Sequence, residues 1–373
     1  LAAHLKHYFQ QHPKAGRTDR KTITQLCFGY YRAGRVFGEQ SYSEQLLIGF
    51  WLTLHQSHPL LEAIRPQWNS LAAADFTVKL KVIDPGLLPS EFLQKIFPLR
   101  SQLSPEIDVD KFSQSLLVQP RVFFRVRPGR KEHVLSAFYQ SGITAEELSE
   151  SAVAVPADTR IPPALVPDAD LVVQDHSSQQ VAELFPAWTA SQPIRIWDCC
   201  AGSGGKTLLV ADHYPNRKIT VTDSRKYILQ QLHERMRVAG IQSVEEYCVD
   251  LVQKTTWPET LGQRTFDLVL ADVPCSGSGT WARIPEQVSF FTPSRLETYG
   301  SLQRQILDQL VQQVVPGGNL LYVTCSVFQQ ENEDQVHYLL QKSGIRLLRQ
   351  VYFKGYERKA DTLFAALFSV SGS

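Results

Sequence analysis

The chain has 373 residues, 43% hydrophobic and 20% charged, ordinary globular values that exclude a collagen-like, coiled-coil or wholly disordered chain. At roughly 150 residues per domain, this length calls for two or three domains. Thirty-eight Lys and Arg against 37 Asp and Glu leave a net charge of +1, so any case for a nucleic-acid partner must be local. The longest apolar run, Leu46 to Leu54, falls short of the ~18 residues of a membrane span, and no membrane association is expected. The opening Leu1-Ala-Ala-His-Leu-Lys-His7 carries no secretory pattern. It lacks an initiator Met, and Met236 is the only Met, so the expectation is that a few residues precede Leu1. Six cysteines, at 27, 199, 200, 248, 275 and 325, form no C-x-x-C pair, which fits a reducing cytoplasm with neither disulfide staples nor a metal site.

Residues 1–85 read as a helical domain, with Ile23, Leu26, Cys27, Tyr30 and Tyr31 at spacings of three and four. Between Lys6 and Arg35 it holds seven Lys or Arg against the single acid Asp19, a pattern that fits either a solvated helix face or an RNA-facing surface. Asp84-Pro-Gly86 and Pro89-Ser90 mark its end by turn chemistry. Residues 86–185 read as a small α/β subdomain and linker. Within it Arg121-Val-Phe-Phe-Arg-Val-Arg127 alternates like a strand. Val122, Phe124 and Val126 are expected to face inward, leaving Arg121, Phe123, Arg125 and Arg127 on a face suited to gripping and stacking RNA.

Residues 186–373 alternate strand and helix signals. Strands are expected over 194–197, 218–222, 245–249, 266–271 and 319–324, helices over 206–213, 227–239, 298–315 and 332–342, and two further strands near the end. Such alternation predicts a doubly wound, Rossmann-like α/β sheet with ligands at the carboxyl ends of its strands.

The first of these strands runs into Asp198-Cys-Cys-Ala-Gly-Ser-Gly-Gly-Lys-Thr207, a Gly-rich turn that opens a helix. Cys200 stands where a phosphate-binding P-loop needs its first Gly, and Thr207 where a dinucleotide fingerprint needs its third. A nucleoside cofactor without a pyrophosphate remains. Asp223 ends the next strand, 19 residues after Gly204, where an acid suits a ribose diol. Asp250 follows the third strand, placed for an adenine amino group, and Asp272 ends the fourth. A Gly-rich turn with three strand-end acids points to S-adenosylmethionine.

Cys275 follows the fourth strand in Asp272-Val-Pro-Cys-Ser-Gly277, and Cys325 follows the fifth in Thr324-Cys-Ser326. A lone buried Cys is ordinarily a small hydrophobe, but two strand-end thiols beside an acid suggest covalent catalysis. The C5 of a pyrimidine is a poor nucleophile until a thiolate adds at C6. A carboxyl group such as Asp272 can hold the N3 and 4-amino edge, and a second thiol can act as or assist the base that removes the C5 proton.

These residues resemble the Sun-type (Fmu, Nol/Nop/Sun) RNA cytosine-5 methyltransferases. The match comprises Cys200-Ala-Gly-Ser-Gly-Gly-Lys-Thr207, Asp272-Val-Pro-Cys-Ser-Gly277, Thr324-Cys-Ser326, Glu331-Asn332 and Asp361-Thr-Leu-Phe-Ala-Ala-Leu367, in family order. The resemblance implies Cys325 as nucleophile and Cys275 as the thiol that assists product release. It also implies a cofactor site of Cys200, Ala201, Gly202, Ser203, Gly204, Gly205, Lys206, Asp223, Asp250 and Asp272, with Lys206 close to the catalytic centre. Upstream, Gln174-Asp175 and Ser178 resemble the family's entry segment, and Arg121 to Arg127 its small RNA-recognition-like subdomain. Asp19-Arg20 and Gly29-Tyr-Tyr-Arg32 resemble the antiterminator-like helical extension of the bacterial ribosomal RNA branch.

Three departures stand out. The family's Ala-Pro in the first loop is Gly202-Ser203 here, and its Asp-Gly-Phe-Phe is Asp361-Thr-Leu-Phe364. Arg283-Ile-Pro-Glu286 keeps one Arg of an Arg-rich stretch, marking Arg283 as a candidate RNA contact. The expectation is therefore a monomeric, cytoplasmic, S-adenosylmethionine-dependent enzyme forming 5-methylcytosine in RNA, ribosomal before transfer RNA. The alternatives are a non-catalytic RNA-binding assembly factor and a DNA cytosine-5 methyltransferase.

Overall fold

The structure, a computed structural model, describes residues 1–242 and 244–371. The chain divides into two compact units. A helical unit comprises Leu1–Leu103, Ile107–Gln119 and Thr280–Thr292, and an α/β unit comprises Ser104–Glu106, Pro120–Gly279 and Pro293–Ser373.

In the helical unit, Arg17–Arg32 packs on Tyr42–Thr53. The two backbones meet at glycines: a Cβ on Gly29 would lie 2.7 Å from the Phe50 nitrogen, and one on Gly49 would lie 2.4 Å from the Gly29 oxygen. Ser41 caps the second helix through the Glu44 N–H at 3.3 Å, and Phe50, Trp51, Leu54 and Leu61 form the core beneath it. Helical structure runs on to Ser115, past the boundary expected at 85. The Asp84-Pro-Gly86 turn joins two helices of the same unit, because Pro89 starts the helix Pro89–Ile96 at a position that needs no N–H, and Phe92 is fully buried. Two of the seven N-terminal cations turn inward: Arg32 donates to the Leu116 oxygen at 2.8 Å and Gln119 Oε1 at 2.7 Å, and Arg35 donates to the Ile96 oxygen at 2.5 Å.

The α/β unit begins with a four-stranded antiparallel sheet of order β2-β3-β1-β4, from β1 (Val122–Val126), β2 (Glu146–Glu147), β3 (Ala152–Val155) and β4 (Leu171–Val173). Phe124 and Val126 bury against the helix Lys131–Gln140 through Val134 and Phe138. The opposite face of β1 is covered too, which corrects the expected RNA-facing strand. Phe123 and Arg125 are each only 2% exposed. Arg125 donates to Gln174 at 2.8 Å and pairs with Asp212, and Arg127 shares that carboxylate at 3.0 Å. Arg121 pairs with Glu146 at 2.5 Å. Three of the four RNA contacts expected in this segment are thus packed inside the unit, because a carboxylate 85 and 87 residues along the chain neutralises Arg127 and Arg125.

The larger sheet holds seven strands in the order β10-β11-β9-β8-β5-β6-β7. They are β5 (Ile194–Asp198), β6 (Arg217–Asp223), β7 (Val244–Cys248), β8 (Phe266–Asp272), β9 (Val314–Thr324), β10 (Ile345–Lys354) and β11 (Thr362–Val370). β5 to β9 pair in parallel, while β11 runs antiparallel between β9 and β10. Leu268, Val269, Leu270 and Ala271 of β8 are completely buried, as a parallel strand covered on both faces requires. Strand order reverses direction between β5 and β8, which opens a crevice at their carboxyl ends. Among the described residues, no helix is long and apolar enough to cross a membrane.

Candidate active site

The crevice is a cavity of about 740 Å³. One wall is the turn after β5, where Gly202 (φ +53°) and Gly204 (φ +87°) take left-handed conformations that glycine alone adopts readily. Open space lies where a Gly202 Cβ would stand, whereas a Cβ on Gly204 would meet Met236 Cε at 2.8 Å. Gly202 therefore presents bare backbone, and Gly204 lets the turn close on the helix Lys226–Val238. Of the residues expected to hold a cofactor, all but Gly204 line the cavity.

The acids are held in three different ways. Asp223 accepts four hydrogen bonds: Oδ1 from Arg225 N and Nε, both at 2.9 Å, and Oδ2 from Gly202 N at 3.1 Å and Arg225 Nη2 at 3.0 Å. A carboxylate offers about four lone-pair sites, so these donors fill them. Burial would raise this carboxyl, but the Arg225 bonds outweigh it and hold the pKa below the ordinary value. Asp250 is exposed and accepts from Val252 N at 3.0 Å in its own turn. Asp272 accepts from the Lys206 ammonium at 2.7 Å. Burial lowers the Lys206 pKa, yet the attraction of Asp272, Cys325 and Asp198 more than offsets it and the net shift is upward.

Opposite the Gly-rich turn, Cys275 Sγ and Cys325 Sγ lie 3.4 Å apart, and both line the cavity. The Cys275 thiol is pushed well up by its hydrogen bond with Cys325, by burial and by the negative charges of Cys325 and Glu331. The two sulfurs are therefore inequivalent: the Lys206 cation interacts with Cys325, whereas the Glu331 carboxylate interacts with Cys275.

The sequence reading missed three groups. Arg225 signals itself only by following Asp223 at a two-residue spacing. Glu331 was seen as part of a motif, with nothing to show that Ser276 and Ser326 both bond it at 2.5 Å. Asp198 is fully buried, bonded to Thr207 Oγ1 at 2.7 Å, and burial pushes its pKa up to about 7. Arg283, the remaining proposed RNA contact, lies half-buried in the Thr280–Thr292 segment of the helical unit and does not line this cavity.

A seven-stranded, mostly parallel sheet with a Gly-rich turn and strand-end acids at its switch point defines a Rossmann-like fold of the methyltransferase type. Residues 189–362 match the family described as "16S rRNA methyltransferase RsmB/F". The chain is 32% identical over 224 residues, 59% of its length, to Ribosomal RNA small subunit methyltransferase B of Xanthomonas campestris pv. campestris, and spans 50% of that relative. It spans about half the length or less of the first such relatives it matches. Among solved structures, PH0851 superposes with a TM-score of 0.73 at 19% identity, over 97% of this chain and 93% of that one. NSun6 from Pyrococcus horikoshii, solved with SFG, superposes with a TM-score of 0.61 at 15% identity, over 74% of this chain and 97% of that one. Both likenesses are of fold.

Proposed function

We propose that this chain is a cytoplasmic ribosomal RNA methyltransferase that uses S-adenosylmethionine and forms 5-methylcytosine. The observation that carries the reading is the pair of thiols 3.4 Å apart that line one cavity with the Lys206–Asp272 ion pair. The relatives' names support ribosomal RNA as the substrate class.

The residues present fit the cofactor. Bare backbone at Gly202 admits a close ligand, Asp223 and Asp250 supply acceptors for a ribose diol and an adenine amino group, and Leu251 and Ile306 give apolar walls. When bound, S-adenosylmethionine supplies an electrophilic methyl group on a sulfonium.

The protein prepares the other reactant. Cys325, as the thiolate, adds to cytosine C6; the S–C6 bond forms and electron density moves to C5, the atom to be methylated. Asp272, with Oδ2 held by Lys206, offers its other oxygen to the 4-amino edge and keeps the base in register. After methylation the C5 proton passes to a base, the S–C6 bond breaks, and its electron pair returns to Cys325. Cys275, at hydrogen-bond distance from that sulfur, supports the departing thiolate and so assists release. A base must leave its stack to reach this wall, so single-stranded or unassembled RNA is the expected substrate.

Nucleoside mass spectrometry tests the reading on unmodified ribosomal and transfer RNA incubated with S-adenosylmethionine. Expected is 5-methylcytidine in the ribosomal pool with native protein and none with Cys325→Ala. Product in the transfer pool alone would overturn the substrate class. Turnover by Cys325→Ala would overturn the nucleophile, and cofactor binding without product in either pool would favour a non-catalytic RNA-binding role.

A further inference from the structure

The two thiol-bearing segments leave different strands, β8 and β9, and the carboxylate of Glu331 joins them. Glu331 is fully buried. Its Oε1 accepts from Ser276 N at 2.7 Å and from Gln303 Nε2 at 3.4 Å. Its Oε2 accepts from Ser276 Oγ and from Ser326 Oγ, each at 2.5 Å. Ser276 directly follows Cys275, and Ser326 directly follows Cys325. One carboxylate therefore takes a hydroxyl from the residue after each sulfur.

The neighbouring groups complete the arrangement. Gln303 also donates to the Pro274 oxygen at 3.0 Å, so Cys275 is held on both sides. Asn332 accepts from Thr324 Oγ1 at 2.5 Å and donates to the Ser326 oxygen at 2.9 Å, so Cys325 is held on both sides as well. Glu331 itself is fixed through its carbonyl, which accepts from Tyr322 OH at 2.6 Å. Glu331 and Gln303 do not line the cavity, whereas Cys275 and Cys325 do.

We propose that Glu331 is a positioning residue for both thiols, its carboxylate, with Asn332 beside it, fixing the separation of Cys275 and Cys325. Its consequence for catalysis rests on the proposed cytosine-5 reaction; its consequence for geometry does not. A buried carboxylate bonded by four donors is a rigid link, and removing it breaks the bonds that join the residue after each sulfur to one common acceptor.

An aryl arsenoxide separates the two consequences. It condenses with two nearby thiols, forming two As–S bonds and releasing its oxygen with both thiol protons as water. Protection from alkylation, read peptide by peptide, reports whether Cys275 and Cys325 are bridged together. The native chain is expected to show joint protection. Glu331→Ala is expected to weaken it about 10-fold and to lower kcat ~100-fold, with the KM for RNA within about 3-fold, as a thiol misplaced by an ångström would require. Glu331→Gln, which keeps one oxygen acceptor, is expected to retain joint protection and to lie within about 5-fold of native kcat. Ser276→Ala and Ser326→Ala each release one side and are expected to fall between; they decide the matter if Glu331→Ala does not fold. Undiminished joint protection in Glu331→Ala and both serine variants would overturn the proposal, as would a raised KM with native kcat. Joint protection lost with Glu331→Ala, where the native chain methylates no cytosine, would support the positioning role and overturn the reaction.

Discussion

The helix Gly205–His213 touches two ionic sites of opposite construction. At its start, Lys206 meets Asp272 beside the thiols, on the wall of an open cavity. Near its end, Asp212 closes on Arg125 of β1 and on Arg127 just after that strand, and the three side chains are 11% exposed or less. Both sites pair cations with a carboxylate, yet one presents groups to a ligand and the other seals two layers together. The difference lies in where the sheet leaves space. Carboxyl ends of parallel strands at a switch point stay uncovered, whereas the outer face of a small sheet is an apolar-edged surface that a neighbouring helix can cover. Both sites pair charges, and cover decides which one is open to a ligand.

The sharpest way to break this comparison is at the open site. Cys325→Ala is expected to abolish methylation while leaving cofactor affinity and the unfolding midpoint near native values. Cys275→Ala is expected to accumulate a covalent protein–RNA species, because addition proceeds and release does not. A retarded band on a denaturing gel, sensitive to nuclease, reports it. Clean multiple turnover by Cys275→Ala would return that thiol to the rank of a packing residue.

At the sealed site the expected effect is on stability. Asp212→Ala leaves two guanidinium groups buried without their carboxylate, a loss of about 3–5 kcal/mol for a buried pair broken on one side. Urea unfolding measures it. Replacing Arg125 by Met in the Asp212→Ala background should recover part of the loss. RNA affinity at temperatures where the variant is folded should stay near native, since these arginines do not face solvent. A fall in affinity matching that of a surface cation would restore β1 as an RNA-binding strand.

Asp198 stands between the two sites in kind: it borders the turn but is sealed like the arginine cluster. With a pKa of about 7 in the folded chain, against ~3.9 for an unperturbed carboxyl, the folded state holds a proton that the unfolded state has lost. Stability contributed by this group therefore falls as pH rises from about 4 to 7. Asp198→Asn keeps an acceptor for Thr207 Oγ1 and should flatten that part of the pH profile of the urea midpoint. An identical slope in both proteins would show Asp198 ionised throughout.

The larger sheet was legible in the sequence because its signals are local. β5, β6, β8 and the helices after them each carry their own periodicity, and the Gly-rich turn announces itself within ten residues. The two thiols were legible for the same reason, each at the end of an apolar strand. The burial of Arg125 was not, because its partner Asp212 is 87 residues away, and a strand with arginines at alternate positions reads the same whether water or a helix covers it. The end of the helical unit was misplaced because Asp84-Pro-Gly86 is sound turn chemistry, and a turn between two helices looks like a turn between two domains. Glu331 stood in a recognised motif, but its role needs two serines 50 residues apart.

Asp223 sharpens the comparison at its smallest scale, since it has features of both sites: it lines the cavity, yet its four lone-pair sites are already filled. Two of the four bonds come from the Arg225 guanidinium, a pair of N–H donors on the carboxylate proposed to take a ribose diol. The Arg225 side chain is 53% exposed, so it can turn outward, and the energy lost with a half-exposed ion pair is small. Cofactor binding then includes the exchange of one donor pair for another. Arg225→Ala removes the competitor while keeping the backbone N–H bonds of Gly202 and position 225. The expected result is a dissociation constant for S-adenosylmethionine about 3-fold lower, measured by calorimetry without RNA, and a weaker dependence on salt, because the displaced pair is ionic. Weaker binding by Arg225→Ala would instead mean that the guanidinium holds Asp223 in place for the ligand, and the acid would then belong with the sealed carboxylates.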